Sequence, residues 1–308
     1  MIPVHWATTF IVMICLAGPS AMAQTPQTPP TLRVTLLGTG VPTPSVERLG
    51  QCTLVEAGNE RLLFDAGRGC AIRVAQARVP WSDLTKVFLT HLHADHSFGL
   101  PDLFVMGWIY GRVDPLEVRG PSGTKEMVAS MIRALDMDIA SRLSGAMRAR
   151  QKPQYIATEI KRGVVYERAG VKVTAFEVDH SITPAFGYRI DVNGRSVVIS
   201  GDTRYSETLI QNALGVDLLV HEVVFGLPPL TTEQTLVTNG HTLPDKAAQV
   251  FAATKPKLGI YSHVILFGGA SDDDVMAATR KGYAGRVEMG TDLTVIEIGD
   301  NINVRRLK

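Results

Sequence analysis

From residue 32 onward, apolar positions come in short runs separated by glycine-rich polar turns, the spacing of strands rather than of long helices. Residues 32–37, 53–56 and 61–64 open with β-rich runs punctuated by Gly38, Gly40, Gly58, Gly67 and Gly69, and 87–90 has the composition of a buried strand. Further strands are predicted over 171–178, 185–192, 196–200, 218–221, 258–262 and 293–298. Helical periodicity arrives later, over 124–135, 244–254 and 272–283, the last behind a Ser271-Asp272 cap. No repeat or internal linker interrupts the pattern. It predicts one domain over residues 31–308, an α/β layered sandwich with strands in meanders and helices outside.

The first thirty residues follow a different rule. Residues 7–18 form a largely apolar run of 12, followed by Pro19 and by Ala21-Met22-Ala23, a small-x-small cleavage pattern. Residues 1–23 are therefore predicted to be a signal peptide, which places the mature chain in the periplasm or outside the cell and leaves no membrane attachment after cleavage. The run is preceded by His5 but by no Lys or Arg. An uncleaved anchor is the alternative, although about 12 residues are too few to span a bilayer. Residues 24–30 read as a Pro-rich linker with no reason to pack. Cys15 leaves with the signal. Cys52 and Cys70 remain, and whether they pair in an oxidising compartment stays open.

Composition narrows the class. Of 308 residues, 45% are hydrophobic and 20% charged, which excludes disorder and permits a sizeable core. Lys plus Arg number 31 against 30 Asp plus Glu, and no basic block stands out, so charge gives no footprint for nucleic acid and the expected partner is a small molecule. No run of about 18 apolar residues lies in the body of the chain, which excludes a polytopic membrane protein.

Candidate chemistry begins at the end of one predicted strand, where Thr90 is followed by His91-Leu92-His93-Ala94-Asp95-His96. Imidazole and carboxylate suit zinc and related divalent ions, and catalytic sites of this kind leave a position open for water. Two rings spaced HxH fall on one side of an extended turn, while Asp95 and His96 begin a second set as the chain curls into a helix. Other strand ends offer the same residue types: Asp179-His180, Gly201-Asp202-Thr203 and Ser262-His263. Taken singly, each of these is as compatible with a cap or turn as with a ligand. There is no GxSxG, and Leu37-Gly38-Thr39-Gly40 runs into Pro42 and Pro44 rather than a helix, so neither a serine nucleophile nor a dinucleotide fingerprint is present.

Together these residues resemble the metallo-β-lactamase-fold hydrolases, in particular the ribonuclease Z and arylsulfatase-like branch. The resemblance is carried by LGTG, Phe64-Asp65-Ala66-Gly67, HLHADH with Gly99-Leu100-Pro101, His180 with Pro184-Ala185-Phe186-Gly187-Tyr188-Arg189, Ser200-Gly201-Asp202-Thr203, His221-Glu222, Gly240-His241-Thr242 and Ser262-His263. It implies a four-layer αββα sandwich and two divalent metal ions, Zn2+ foremost, with manganese and iron as alternatives. It assigns His91, His93 and His180 to one ion, Asp95, His96 and His263 to the other, and Asp202 to both. It also makes His241 the proton donor, with Glu222 setting its tautomer and Asp95 orienting the nucleophile. The plainer readings are that His241 caps the helix starting near Pro244 and that Glu222 is an orienting strand-end carboxylate.

Two divalent ions carry four positive charges; Asp95, Asp202 and a bridging hydroxide cancel three, and the remaining positive charge favours an anionic transition state. Ribonuclease Z carries a long tRNA-grasping arm between the positions of His180 and Asp202, whereas this chain has a short hairpin through Asn193-Gly194. Gly111-Arg112, Gly120-Pro121-Ser122-Gly123-Thr124 and Asp138-Ile139 before Arg142 resemble the periplasmic arylsulfatase-like relatives instead. The leading expectation is therefore a secreted hydrolase of small anionic esters, aryl sulfates or phosphodiesters, using a metal-bound hydroxide and no nucleic acid. The alternatives are a ribonuclease Z-type tRNA 3′-processing endonuclease, a lactone or β-lactam hydrolase, and a non-catalytic zinc-binding module. Phe104, Met106, Trp108 and Tyr110 are expected to form an apolar wall near the metals, with 226–240 long enough to be a lid. Oligomeric state is unreadable, a homodimer being among the alternatives.

Overall fold

Two apolar sheet faces turned toward each other organise this molecule. The computed structural model describes residues 32–307. The predicted signal peptide and linker, residues 1–30, lie outside the described residues. The first half contains β1 (Leu32–Gly38), β2 (Cys52–Ala57), β3 (Glu60–Phe64), β4 (Lys86–Phe88), β5 (Leu116–Gly120) and β6 (Tyr155–Glu159). Its helices are α1 (Cys70–Gln76), α2 (Ala94–Ser97), α3 (Leu100–Ile109), α4 (Thr124–Arg133) and α5 (Asp136–Ser144). The second half has β7 (Gly163–Arg168), β8 (Val171–Val178), β9 (Ala185–Val192), β10 (Arg195–Ile199), β11 (Leu218–Gly226), β12 (Leu258–Phe267) and β13 (Val287–Met289). The helices between them are α6 (Glu207–Ala213), α7 (Thr232–Thr238), α8 (Pro244–Thr254) and α9 (Asp272–Arg280). The chain then returns to the first sheet with β14 (Thr294–Ile298) and β15 (Ile302–Arg306).

The first sheet runs in the order β15-β14-β1-β2-β3-β4-β5-β6 and the second β13-β12-β11-β10-β9-β8-β7. Each is a meander at one side and parallel at the other: β3 to β6 and β10 to β13 pair in parallel, and every crossover between them returns through a helix on the outer face. The β4 to β5 crossover carries α2 and then α3, and it is α2 that bears the metal-ligand residue types. Leu32, Val34, Phe64 and Phe88 from one sheet meet Val173, Tyr188 and Ile190 from the other in the central core. A second core lies under α1, α3 and α4, and a third under α6, α8 and α9. This is the four-layer αββα sandwich, and it matches the expected layering.

Three predicted strands or helices have the expected bounds, 171–178, 185–192 and 244–254. Strands without a clear signal are mostly sheet edges: β6, β7 and β15 each carry several exposed polar positions. The predicted strand over 87–90 stops at Phe88 because the Asp65 carboxylate takes the Thr90 amide at 2.8 Å. The supposed lid over 226–240 is not a bare connection but holds α7, opened by a Thr231–Gln234 capping box. Cys52 and Cys70 are joined in a disulfide, with Cα atoms 5.8 Å apart.

Phe64 is fully buried and stacks on Phe88 at 5.1 Å between ring centroids. Replacing it by Ala should cost about 3–5 kcal/mol, read as a lower denaturant midpoint with an unchanged slope.

Candidate metal centre

Beyond β4 the chain stays extended to His93, which has φ −63° and ψ 151°, and then turns into α2. That change of period does what the spacing predicts: His91 and His93 project to one side of an extended segment, while Asp95 and His96 sit on a helical turn. The turn lies hard against the loop after β3. A Cβ on Gly67 would collide with the Asp95 carbonyl, and one on Gly99 with the Gly67 carbonyl. Glycine is required at both positions by close backbone approach.

Seven side chains converge here. His91 Nε2 and His180 Nε2 lie 3.0 and 3.3 Å from His93 Nδ1. His263 Nε2 lies 3.1 Å from Asp95 Oδ2, and His96 Nε2 3.5 Å from the same oxygen. Between the two sets, Asp202 Oδ2 is 3.3 Å from His96 Nε2 and His263 Nε2, 3.8 Å from His91 Nε2 and 3.9 Å from His180 Nε2. His91, His93 and His180 form one group able to hold an ion, and Asp95, His96 and His263 another.

Each ligand is aimed by a neighbour. His180 Nδ1 donates to the Gly240 carbonyl at 3.1 Å, which leaves its Nε2 lone pair toward the centre. His96 Nδ1 faces Asp65 Oδ2 at 2.8 Å. His263 has φ 50°, in the left-handed region, because β12 bulges: Ser262 and His263 together face the single residue Glu222 between the His221–Tyr261 and Val223–Val264 pairs. Asp65 is likewise left-handed, at φ 61°.

Burial pushes His91 well below the ordinary imidazole value and lowers His93 and His180 as well, so all three stand neutral at pH 7, the ligating form. Burial alone would lower His96 too, but the carboxylates of Asp202, Asp65 and Asp95 raise it well above that value. Burial alone would raise Asp202, and the imidazoles of His263, His96 and His91 instead drive it far down. The donor set of five imidazoles and two carboxylates fits a pair of divalent cations, since His96 Nε2 and Asp202 Oδ1 are buried there with no hydrogen-bond partner among the described residues.

A cleft of about 440 Å³ opens onto the centre, walled by Val41–Thr43, by Leu236 and Val237 of α7, and by Ile265 and Phe267, with Arg204 at its rim. His241 also lines it, with its ring stacked 5.6 Å from that of His263 and Nδ1 3.3 Å from Glu222 Oε2. Glu222 is held in turn by the Thr242 and Thr203 amides, at 2.8 and 3.3 Å. Burial works to lower His241, but the Glu222 charge and hydrogen bond, helped by Asp202, raise it to about 9.

The expected aromatic wall is absent from the cleft. Phe104 and Trp108 point from α3 into the core beneath the first sheet, and Met106 and Tyr110 line a separate groove with Trp81, because helical rather than alternating spacing splits the four between two faces. Several contributors, Arg204 among them, escaped the sequence reading. Asp65 appeared only as part of the Phe64-Asp65-Ala66-Gly67 pattern, and Leu236 and Val237 lay hidden in the supposed loop.

Residues 60–264 match the β-lactamase superfamily domain. Ribonuclease Z of Mycobacterium bovis (strain BCG / Pasteur 1173P2) is 34% identical over 275 residues, covering 87% of this chain and 98% of that protein. Ribonuclease Z of Mycobacterium marinum is 34% identical over 285 residues, covering 87% and 99%. Among solved structures, the metallo-β-lactamase fold protein YhfI from Bacillus subtilis superposes with a TM-score of 0.69 at 19% identity, covering 87% of this chain and all of its own. Human tRNase Z, short form, gives 0.64 at 23% identity, covering 87% and 99%.

These relatives overturn two expectations. The reading as a secreted aryl-sulfate or small-ester hydrolase and the exclusion of nucleic acid both leaned on a missing arm. An alignment of 275 residues that spans 87% of this chain and 98% of the Mycobacterium bovis protein leaves no room for a long arm present in one and lacking in the other. The short hairpin therefore does not separate this chain from proteins named ribonuclease Z, and an even overall charge does not speak against a substrate held mainly at a metal centre.

Removing the Glu222 charge should leave burial in control of His241. In metal-free protein, NMR titration should place His241 near 9 in the unaltered chain and below the ordinary imidazole value in Glu222→Gln. Because the folded value lies above the unfolded one, the stability contributed by protonated His241 is full below about pH 6.5 and is lost as pH rises through about 9.

Proposed function

The chain belongs to the β-lactamase superfamily, and from that premise we propose that it is a metal-dependent phosphodiesterase of the ribonuclease Z type, cutting RNA at the 3′ side of a tRNA precursor. The observation that carries this reading is the 34% identity to ribonuclease Z along 98% of that protein's length. The site has the parts the reaction needs.

His91, His93 and His180 would hold one ion, Asp95, His96 and His263 the other, and Asp202 both. Two divalent ions, Zn2+ being well suited to this nitrogen and oxygen set, supply a nucleophile at neutral pH and stabilise the attacking and leaving oxygens of an in-line displacement. The protein's own groups do the rest. Asp95 lines the cleft and orients the nucleophile. His241, kept charged at neutral pH by Glu222, gives its proton to the departing ribose oxygen, whose departure as an alkoxide is otherwise slow. Thr203 and Thr242 fix Glu222, so the ring it holds stays directed at the cleft. Arg204 at the rim offers a cation to RNA phosphate.

A tRNA-precursor substrate requires the chain to stay in the cytosol, so the export signal expected over residues 1–23, with cleavage after Ala23 to leave Gln24 first, is the reading that competes with this one. Intact-mass measurement on protein from a fractionated Gram-negative host separates the two: unprocessed chain in the cytosol agrees with the tRNA reading, and processed chain outside the cytosol would refute it.

Elemental analysis after mild dialysis should give about two metal ions per chain, as two-ion catalysis requires. His93→Ala and His263→Ala should lose both metal and activity. Metal-loaded protein should cleave a tRNA precursor, and no cleavage of such an RNA by fully loaded protein would sink the reading. His241→Ala should slow that cleavage roughly 100-fold or more while retaining its metals and barely affecting an activated nitrophenyl phosphodiester. Equal slowing of both substrates would show that His241 positions substrate instead.

A further inference from the structure

The turn that carries Asp202 also carries Arg204, and that side chain reaches two other parts of the centre at once. Its Nε donates to the Asn239 carbonyl at 2.6 Å and its Nη1 to Asp179 Oδ1 at 2.7 Å. Its backbone amide donates to the Asp179 carbonyl at 2.8 Å. Asp179 directly precedes the candidate ligand His180, and Asn239, which closes α7, directly precedes Gly240 and His241. One guanidinium thus grips the chain beside a ligand, beside the carbonyl that aims that ligand, and two residues before the candidate proton donor.

A cation at the rim needs only its charge to attract phosphate, whereas these contacts use the shape of the group. The planar guanidinium fixes Nε and Nη1 relative to each other, so the two acceptors they hold are fixed relative to each other as well. The ion pair by itself is a weak reason for the arrangement, since the Asp179 side chain is 65% exposed and a pair in water contributes little. Each gripped segment is also tied to the turn once more, Asp179 by the Arg204 amide and Thr242 by its Oγ1, which donates to the Thr203 carbonyl at 2.6 Å. Among the described residues, the other hydrogen bond joining the two segments runs from His180 Nδ1 to the Gly240 carbonyl at 3.1 Å. A single hydrogen bond sets a distance more firmly than an orientation, and the fork adds the further points that set orientation. The rings carried by these segments, those of His180 and His241, stand 5.0 Å apart between centroids.

We propose that Arg204 is a positioning residue, its guanidinium a clamp that holds the His180 turn and the end of α7 in the relative orientation that metal binding and proton delivery both need. The inference deepens the ribonuclease-type reading and rests on it. In this role Arg204 acts through His180 and His241, separately from any attraction its charge exerts at the rim.

Variants at Asp179 test the clamp while leaving the rim cation in place. Asp179→Ala removes the acceptor, and Asp179→Asn keeps one. With metal-loaded protein and a tRNA precursor, Asp179→Ala should lower kcat about 10-fold with KM within about twofold, and Asp179→Asn should stay within about threefold of the unaltered chain. Arg204→Lys keeps the charge without the fork, and should lower kcat by about as much as Arg204→Ala. Hydrogen exchange in the metal-free protein reads the clamp without catalysis: the Gly240, His241 and Thr242 amides should exchange about 10-fold faster in Asp179→Ala and Arg204→Lys, with those of β8 and β9 unchanged. Full kcat or unaltered exchange in Asp179→Ala, or full kcat in Arg204→Lys, overturns the proposal and leaves Arg204 as a phosphate contact only. Failure of the unaltered chain to cleave the precursor would strike at the ribonuclease reading instead, and the exchange rates would still decide the clamp.

Discussion

A carboxylate buried at the seam between two sheets has to be compensated, and that requirement shapes the region around Asp202. The group is almost fully covered and yet ionised, because four imidazole nitrogens stand within 3.9 Å of one of its oxygens. Those imidazoles come from the ends of β4 and β8, from α2 and from the bulge in β12, so no single stretch of chain can satisfy Asp202 alone. In the metal-free protein the arrangement is a balance of proton-bearing and bare rings; divalent ions held by the same atoms would supply the compensating charge instead. The strained and close-packed features cluster where this balance is set. Asp65 and His263 take left-handed backbone, and Gly67 and Gly99 let two loops meet backbone to backbone.

Surrounding groups hold that centre by fixing proton positions rather than by adding ligands. Asp65 faces Nδ1 of His96, the Gly240 carbonyl takes Nδ1 of His180, and Glu222 faces Nδ1 of His241. Glu222 ties the centre to the cleft: backbone amides of Thr203 and Thr242 hold its carboxylate, the β12 bulge lies opposite it, and the His241 ring it charges lines the cleft. The candidate metal centre and that ring are thus joined through a few buried contacts, most of them to backbone.

Substrate class followed a different logic. The absence of a long insertion after His180 suggests small substrates, yet relatives of the same length bear the name ribonuclease Z. Overall charge is equally uninformative, because any cations held at the centre would attract an anionic group wherever the remaining charges lie.

The cluster of candidate metal ligands was legible in the chain because ligation demands particular residue types, and His91-Leu92-His93-Ala94-Asp95-His96 puts four of them within one change of backbone period. The inter-sheet core was legible for a similar reason, since β8 at its start and β9 at its end alternate between buried apolar and less buried polar positions. Edge strands left little trace, because an edge needs few apolar residues. The four aromatic and sulfur-bearing side chains of 104–110 were assigned to the wrong place because the same spacing fits a wall or a core until the helix axis is known. Only the tertiary structure could show Asp65 behind His96, the bulge that turns His263 inward, and the Thr203 and Thr242 amides that fix Glu222 beside His241. Residue type is a local property that a sequence displays directly. Which proton sits on which ring is set by neighbours that the fold alone brings within hydrogen-bonding distance.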